Sequence, residues 1–121
     1  MSQNDAFIEE ALQEYEDGMG YFSEQLPKVA RKYHAFTDAC FAQGEISKKN
    51  KQLIALGISL STNEEYCIID HTKGCLDEGC SEAEIMEAVA VSAAFGGGAA
   101  LSQAVTIVRD TIETFDSATS S

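Results

Sequence analysis

The chain of 121 residues contains a single proline, Pro27, and no stretch of useful length in which apolar and polar residues strictly alternate. Strict alternation is typical of a half-buried β-strand, whereas apolar residues three or four positions apart mark one face of a helix. The second pattern recurs along most of the chain. We therefore predict an all-α protein, a bundle of five or six helices in a single domain that covers residues 1–121.

The charge balance and the apolar runs exclude several classes of partner. Twenty acidic side chains against eight basic ones give a net charge of −12, which repels nucleic acid and anionic membranes. No apolar run approaches the roughly 20 residues that cross a bilayer. The first residues show neither the positive charge nor the apolar segment of a secretory signal. Four cysteines without such a signal are typical of reduced thiols, so we predict a cytoplasmic protein.

Proline, glycine and capping residues set the predicted helix ends. Pro27 suits a first helical turn, Ser47 is a plausible N-cap, and Ser81 with Glu84 forms a capping box. Gly79 suits the position just after a helix. The predicted helices are, in order, about 5–17 (ended by the glycines at 18 and 20), 27 to before 44, 48–60, 64–78, 82–95 and 99–115 (after the glycines at 96–98), with a frayed tail at 116–121.

The predicted fourth helix carries a cysteine and a histidine four residues apart, Cys67 and His71. Residues at this spacing share a helical face, with Cβ atoms about 6 Å apart. A thiol in a first turn also lies at the positive end of the helix dipole, which favours the thiolate. Because a thiolate beside an imidazole is the minimal equipment for thiol redox or nucleophilic chemistry, we interpret this pair as the candidate site.

The other three cysteines give weaker signals. Cys75 lies eight residues beyond Cys67, about 12 Å along a helix axis. A disulfide needs Cα atoms within about 7 Å, so these two cannot pair within one straight helix. Cys80 follows the helix and could approach another element or another subunit, and Cys40 is predicted to lie in the core.

Ordered motifs extend from about Phe36 to Val108. They are residues 51–60 (KQLIALGISL), Glu65-Tyr66-Cys67 with His71, Gly74, Gly79, Glu84-Ile85, Glu87-Ala88 and Gly96-Gly97-Gly98. This set resembles the carboxymuconolactone decarboxylase family, which includes the AhpD-like alkylhydroperoxidases. The resemblance implies an AhpD-like helical fold that assembles into homo-oligomers, often trimers or hexamers, with the reactive centre near a subunit contact. The glycine triplet lacks the Lys-Ser/Thr of a phosphate loop, and no cofactor is expected.

The chain departs from the pattern of the redox members, which typically carry Cys-x-x-Cys-x-x-x-His. The resemblance places their second cysteine at Cys67, their histidine at His71 and their first cysteine at Glu64, which cannot form a disulfide. A glutamate of their proton relay falls on Gln52, whose amide can orient a proton but cannot take one. The decarboxylases keep the histidine and lack the cysteine pair, so the chain is intermediate between the two patterns.

Three functions follow from these residues as alternatives. The first is a thiol-dependent oxidoreductase, a peroxidase or disulfide reductase, in which Cys67 reacts, His71 moves the proton and Glu64 orients the histidine or acts as a base. An external thiol or Cys80 would then resolve Cys67. The second is a decarboxylase-type enzyme in which His71 and Glu64 act on a small carboxylated substrate. The third is a metal-binding or structural oligomer with Glu64, Cys67 and His71 as ligands completed by symmetry.

Apolar surface predicts self-association. The predicted third, fifth and sixth helices are apolar on many sides, and residues 54–60 and 88–94 contain no charge. A helix that is apolar nearly all round is normally buried by further partners. In so small a domain the remaining apolar surface is expected to meet another subunit, and we predict a homo-oligomer, a trimer or hexamer rather than a dimer.

Overall fold

The computed structural model describes residues 3–119, and within this range it contains helices and no β-strand. The last three helical segments follow one another without a break, so the described chain forms six helical rods. This confirms the predicted all-α fold. The elements are α1 (Gln3–Gln25), α2 (Pro27–Phe41), α3 (Lys48–Thr62), α4 (Glu65–Asp77), α5 (Glu82–Gly96), α6 (Gly98–Gln103), a π-helical turn (Ala104–Val108) and α7 (Arg109–Thr119).

Most predicted helix ends are confirmed by their hydrogen bonds. Pro27 begins α2, and the Ser47 hydroxyl accepts the Asn50 N–H at 3.1 Å at the start of α3. At the start of α5, the Glu84 N–H donates to the Ser81 hydroxyl at 3.1 Å and the Ser81 N–H donates to the Glu84 carboxylate at 2.8 Å. These bonds satisfy backbone donors that have no partner inside the helix, so each cap fixes where its helix starts.

Helix α1 is longer than predicted, because it continues through Gly18 and Gly20 to Gln25. Glycine inside a helix costs about 1 kcal/mol relative to alanine. Contacts earlier in the helix offset this cost: Ile8 is fully buried, and the Tyr15 ring stacks on Tyr66 of α4 with 3.7 Å between ring centroids. The prediction that the glycines end the helix was wrong because it considered local propensity without this packing.

The C-terminal rod is not the uninterrupted α-helix that was predicted. The π-helical turn widens the repeat, and the buried apolar positions recur every four residues. Leu101 and Val105 of this rod are exposed. Helix α7 continues to Thr119, into the predicted tail, whose residues Ser120 and Ser121 lie outside the described part. The buried apolar positions are Ala100, Ala104, Val108 and Ile112, and Thr111 and Thr114 are buried as well.

The core lies where α3, α4, α5 and the C-terminal rod meet. Helix α3 packs closely against both α4 and α5, and α4 also contacts α1 and the C-terminal rod. None of the helices in residues 3–119 combines the length and apolar character that crossing a membrane requires. The core side chains are Leu56, Leu60, Ile68, Cys75, Cys80, Ile85, Val89, Ala100, Ala104, Val108 and Ile112.

Several apolar side chains are exposed in the single chain. The prediction that Cys40 lies in the core was wrong, since Cys40 is exposed on α2, and Ile54 in the uncharged run 54–60 of α3 is exposed as well. A helical wheel shows how wide an apolar arc is, but not how much of that arc another helix covers. Further exposed apolar side chains on α2, α3 and α5 are Val29, Tyr33, Phe36, Ile58, Val91 and Phe95.

Candidate active site

His71 is held by an amide from the neighbouring helix. It lies on α4, and its Nδ1 is 3.0 Å from Oε1 of Gln52 on α3. An amide oxygen only accepts hydrogen bonds, so Nδ1 carries the proton and donates it. In the neutral ring, Nε2 is then the atom with a free lone pair. Gln52, which the sequence placed at the family's glutamate position, is therefore the residue that fixes the tautomer of His71.

A glycine makes room for this amide. Gly74 lies one turn after His71 on α4, and a Cβ built there would be 2.6 Å from Cδ of Gln52 and 3.1 Å from its Nε2. Real Cβ atoms almost never come so close to another heavy atom. Any side chain at 74 would thus displace the Gln52 amide, which explains physically why a glycine is needed in this helix interior.

The surroundings of His71 favour the neutral imidazole. The ring stacks on Phe41 of α2, with 5.5 Å between centroids and 15° between planes. Burial lowers the pKa of His71 below its ordinary value, and the adjacent Asp70 carboxylate opposes that shift. His71 is therefore a proton acceptor rather than an imidazolium near neutral pH.

Cys67 lies one helical turn before His71, is half-buried and lines the same cleft. Burial raises the pKa of this thiol, and the carboxylates of Glu64 and Asp70 raise it further. The expectation that the helix dipole leaves Cys67 as a thiolate is not supported, because desolvation and two negative charges act against it. The resting form is a protonated thiol near a neutral base.

Glu64 is the N-cap of α4 rather than a residue of its first turn, and its side chain makes no capping hydrogen bond. It is exposed and lines the cleft beside Cys67. In the described part of the chain, the hydrogen bond of His71 goes to Gln52, and Glu64 is not a partner of the imidazole. The hypothesis that Glu64 orients His71 is thus corrected: the structure gives that role to Gln52.

The three predicted residues share an open cleft of about 530 Å³ between α1, α2, α3 and α4. Three carboxylates line it, and none of its described lining residues is a lysine or an arginine. Tyrosines of α1, α2 and α4 form an aromatic wall around the thiol. The complete lining is Tyr15, Tyr33, His34, Thr37, Asp38, Phe41, Gln52, Glu64, Tyr66, Cys67, Asp70 and His71.

Sequence reasoning missed two kinds of lining residue. Asp70 lies three residues after Cys67 on the same helix, so helical spacing alone could have identified it. Phe41, His34 and Tyr33 come from α2, and nothing in the sequence shows that this helix crosses the cleft. Their contribution depends on tertiary contacts and had no local signal.

The remaining cysteines are separate from this cleft. Cys75 and Cys80 are buried in the core at the other end of α4, so Cys80 is not placed to resolve Cys67 as one hypothesis required. Cys40 is exposed on α2. Among the described residues, no group of three or more His, Cys, Asp or Glu side chains is arranged to hold a metal ion. Within one chain, the predicted ligand set of Glu64, Cys67 and His71 therefore does not form a metal centre.

The fold and the Cys–His helix coincide with a known family. Residues 27–110, more than half of the chain, match the carboxymuconolactone decarboxylase family. The chain belongs to this family. The resemblance between about 36 and 108 is thereby confirmed, and Cys67, His71, Gln52 and Gly74 all lie within the matched segment.

Known proteins share sequence or fold with this chain. A protein of Paracoccus denitrificans, described as uncharacterized protein 4 in the cox locus, is 40% identical over 86 residues, 71% of this chain and 78% of that protein. The apo structure of a family protein from Legionella pneumophila has a TM-score of 0.80 at 19% identity, over 91% of this chain and 95% of that one. A family protein from Thermotoga maritima, for which an involvement in the antioxidative response has been suggested, has a TM-score of 0.68 at 24% identity, over 77% and 96%. At these identities, the two structures show a shared fold.

Proposed function

We propose that the chain is a thiol-dependent oxidoreductase of the peroxidase or disulfide reductase type, in which Cys67 reacts and His71 moves the proton. The observation that carries this proposal is the 3.0 Å bond from His71 Nδ1 to Gln52. It leaves Nε2 of the neutral ring as the proton acceptor. Cys67 lies one helical turn before His71 and lines the same cleft, which places the thiol on the side of the helix where this base is available.

The reaction with a hydroperoxide ROOH then balances with these groups. His71 Nε2 takes the thiol proton, Sγ of Cys67 attacks the terminal peroxide oxygen, the O–O bond breaks, and the proton passes to the departing alkoxide. The products are a sulfenic acid on Cys67 and ROH. One external thiol displaces water to form a mixed disulfide, and a second releases Cys67 and leaves with the first as a disulfide. The external thiol is needed because Glu64 stands where the redox members carry their first cysteine, so Cys67 has no thiol partner one turn away.

The electrostatics of Cys67 support a base-assisted mechanism. Since burial, Glu64 and Asp70 raise the pKa of this thiol, little thiolate exists before the substrate arrives. A neutral imidazole with a lowered pKa supplies what the thiol lacks, a proton acceptor that is available near neutral pH. His71 is therefore expected to affect the rate more strongly than it would beside a thiolate.

The charge of the cleft favours this function over the decarboxylase type. A small carboxylated substrate needs a positive partner, yet the lining carries three carboxylates and no lysine or arginine among its described residues. A neutral peroxide or disulfide meets no such repulsion. The involvement in an antioxidative response suggested for the Thermotoga maritima relative agrees with redox chemistry.

The test is peroxide consumption with an excess of a small dithiol, followed for the wild-type protein and for single variants. We expect Cys67→Ser to abolish turnover and His71→Ala to reduce it strongly, while Cys40→Ser serves as the matched control because Cys40 is exposed and outside the cleft. Dimedone should label Cys67 after a pulse of peroxide. Circular dichroism of each variant separates lost chemistry from lost folding.

Peroxide turnover that no variant loses, together with carbon dioxide release that survives Cys67→Ser and disappears in His71→Ala, would replace this function with acid–base chemistry of the decarboxylase type. The same preparations decide it, because release of carbon dioxide from a small carboxylated lactone can be measured in parallel. No dimedone adduct on Cys67 would contradict the proposed intermediate directly.

We infer that residues 1–121 act as one domain and that this domain assembles into a homo-oligomer, a trimer or hexamer. Support comes from an apolar strip on α3 and α5, where Ile58 and Phe95 are 59% and 91% exposed, with Ile54 and Val91 beside them. Side chains of this size are rarely left in water together. A second copy that covers the strip would remove them from solvent.

Multi-angle light scattering at micromolar concentration tests the assembly. We expect a mass of three or six times 13.0 kDa and a smaller species for the double variant Ile58→Asp, Phe95→Asp. A single wild-type species near 13.0 kDa would contradict the inference. We propose the cytoplasm as the site of action, because the mechanism depends on a supply of reducing thiols.

A further inference from the structure

A backbone cap brings two cysteines together at the C-terminal end of α4. The Cys80 N–H donates to the Cys75 carbonyl at 2.9 Å, and the Gly79 N–H donates to the Leu76 carbonyl at 3.0 Å. Gly79 has the left-handed backbone, with φ +85°, that this arrangement of two hydrogen bonds requires. With standard bond lengths, the first of these bonds keeps the two cysteine Cα atoms within about 7 Å. That is the range in which a disulfide can form.

The two side chains also meet. Cys75 is fully buried and Cys80 is 6% exposed, and both belong to the same core cluster. The Cys80 thiol lies beside Cys75, and burial together with this neighbour raises the pKa of Cys75 to about 12. Backbone spacing and membership of one core cluster therefore agree in placing the two thiols side by side.

We propose that Cys75 and Cys80 form a second dithiol, separate from Cys67, which closes to an intramolecular disulfide when a hydroperoxide reaches Cys80. Cys80 reacts first because it is the member that solvent touches. Burial and the carboxylates of Glu84 and Glu78 raise the pKa of this thiol, while the neighbouring Cys75 thiol and the Lys49 ammonium oppose that shift. The chemistry is independent of Cys67, which lies on the same helix eight residues before Cys75, about 12 Å away along the axis.

The steps balance with a hydroperoxide as the oxidant. The sulfur of Cys80 attacks the terminal oxygen, the O–O bond breaks, the thiol proton goes to the departing alkoxide, and Cys80 becomes a sulfenic acid. The sulfur of Cys75 then attacks the sulfur of Cys80, and the hydroxyl leaves with the Cys75 proton as water. Two thiols and one ROOH give one disulfide, one ROH and one water.

The cross-link would join the last turn of α4 to the segment that leads into α5. Helix α4 carries Cys67, His71 and Gly74, so the disulfide would fix the far end of the helix that carries the site. Cys80 has so little exposed surface that only a small oxidant can reach it. Hydrogen peroxide is therefore the appropriate probe.

Tryptic mapping of the folded, full-length protein tests the proposal. Cleavage after Lys73 and Arg109 releases one peptide, 74–109, that contains Cys75 and Cys80 and no other cysteine, while Cys40 and Cys67 fall in peptides 33–48 and 52–73. The reduced protein is treated with hydrogen peroxide in native buffer and alkylated with N-ethylmaleimide in denaturant. We expect peptide 74–109 to be lighter than its reduced form by two hydrogen atoms and to carry no maleimide.

Single variants assign the bond. Cys75→Ser and Cys80→Ser should each abolish it, whereas Cys40→Ser and Cys67→Ser should leave it unchanged, which also separates this proposal from the function proposed for Cys67. The proposal is overturned if peptide 74–109 of the folded wild-type protein carries two maleimides while the peptides of Cys40 and Cys67 are oxidised. It is also overturned if the bond forms only after unfolding, or only when Cys67 is present.

Discussion

The two ends of α4 present the same chemical group in opposite surroundings. At the N-terminal end, Cys67 lines an open cleft with an imidazole one turn away and carboxylates around it. At the C-terminal end, Cys75 and Cys80 lie in the core and contact each other. One end therefore has a base and a route for substrate but no second thiol. The other has a second thiol but little access to solvent.

The pKa values show that access and acidity are separate properties. Burial is the largest cause of the raised pKa at Cys67 as well as at Cys75, and the carboxylates of Glu64 and Asp70 raise the pKa of Cys67 further. A thiol can thus be open to substrate and still hold its proton. The difference between the two ends lies in what can reach the sulfur and in which group can remove its proton.

The largest contrast is expected in alkylation of the folded protein. Cys67 should react with iodoacetamide at least about a hundredfold faster than Cys75, because a fully buried thiol reacts only through an opening that costs about 3 kcal/mol or more. Mass spectrometry of the three cysteine-containing tryptic peptides over time gives all rates in one experiment. Exposed Cys40 is the internal reference. Equal rates for peptides 52–73 and 74–109 would remove the distinction between the two ends.

A second prediction gives the N-terminal end the thiol that it lacks. Glu64 is the N-cap of α4 and Cys67 is its third residue, so a cysteine at 64 would approach Cys67. A neighbouring thiol acts at an effective concentration in the millimolar range, so Glu64→Cys should speed resolution of the sulfenic acid about tenfold over that by 0.1 mM external thiol. Stopped-flow kinetics after a peroxide pulse measure it.

Glu64→Gln is the matched control for this variant, because it removes the same charge without adding a thiol. A gain shared equally by Glu64→Gln and Glu64→Cys would show that charge, rather than a dithiol, limits the N-terminal end.

The central residues of the site were predictable from the sequence, whereas the contacts between them were not. The spacing of Cys67 and His71 was sufficient to place both on one helical face, and the family register identified Glu64 and Gln52. The bond between Gln52 and His71 could not be predicted, because it depends on how closely α3 packs against Gly74 of α4. The pairing of Cys75 with Cys80 depends on the cap geometry around Gly79, which the sequence indicated only as a helix end.

A third prediction tests the Gln52–His71 hydrogen bond by comparing the stability of two glycine-to-alanine variants. In Gly74→Ala the new methyl group displaces the flexible Gln52 amide, so the gain in helix propensity of about 0.5–1 kcal/mol is offset by a lost hydrogen bond of about 0.5–1.5 kcal/mol. Gly20→Ala in α1 meets no atom within 4 Å and should keep the full gain. Urea denaturation compares the two.

Peroxide turnover should fall in Gly74→Ala, because His71 loses the partner that fixes its tautomer, and it should be unchanged in Gly20→Ala. If both variants are stabilised equally and both keep full turnover, the Gln52–His71 bond has no role in the site.

The fold was more predictable than the site, for a reason that individual residues show. Caps such as Ser81 with Glu84 are local, and the structure confirmed them. Errors arose where distant contacts outweighed local signals: Tyr15 packs on Tyr66 and α1 continues past Gly18. Cys40 was predicted to lie in the core because free cysteine is usually buried, but in the structure it is exposed on α2.

The smallest expected effect concerns the charge beside Cys67. The Glu64 carboxylate disfavours the negative thiolate and so, after burial, contributes to the raised pKa of Cys67. Removing that charge in Glu64→Gln lowers the pKa of Cys67, increases the thiolate fraction at pH 8 and moves the pH profile of Cys67 alkylation to lower pH.

Glu65→Gln is the matched control, since Glu65 is also an exposed acid at the start of α4 and is not among the groups that raise the pKa of Cys67. The profile of Cys75 should not move in either variant, because Glu64 lies at the opposite end of the helix. A shift of the Cys67 profile that is equal in both variants would mean that the general acidity of the helix end, rather than Glu64, keeps this thiol protonated.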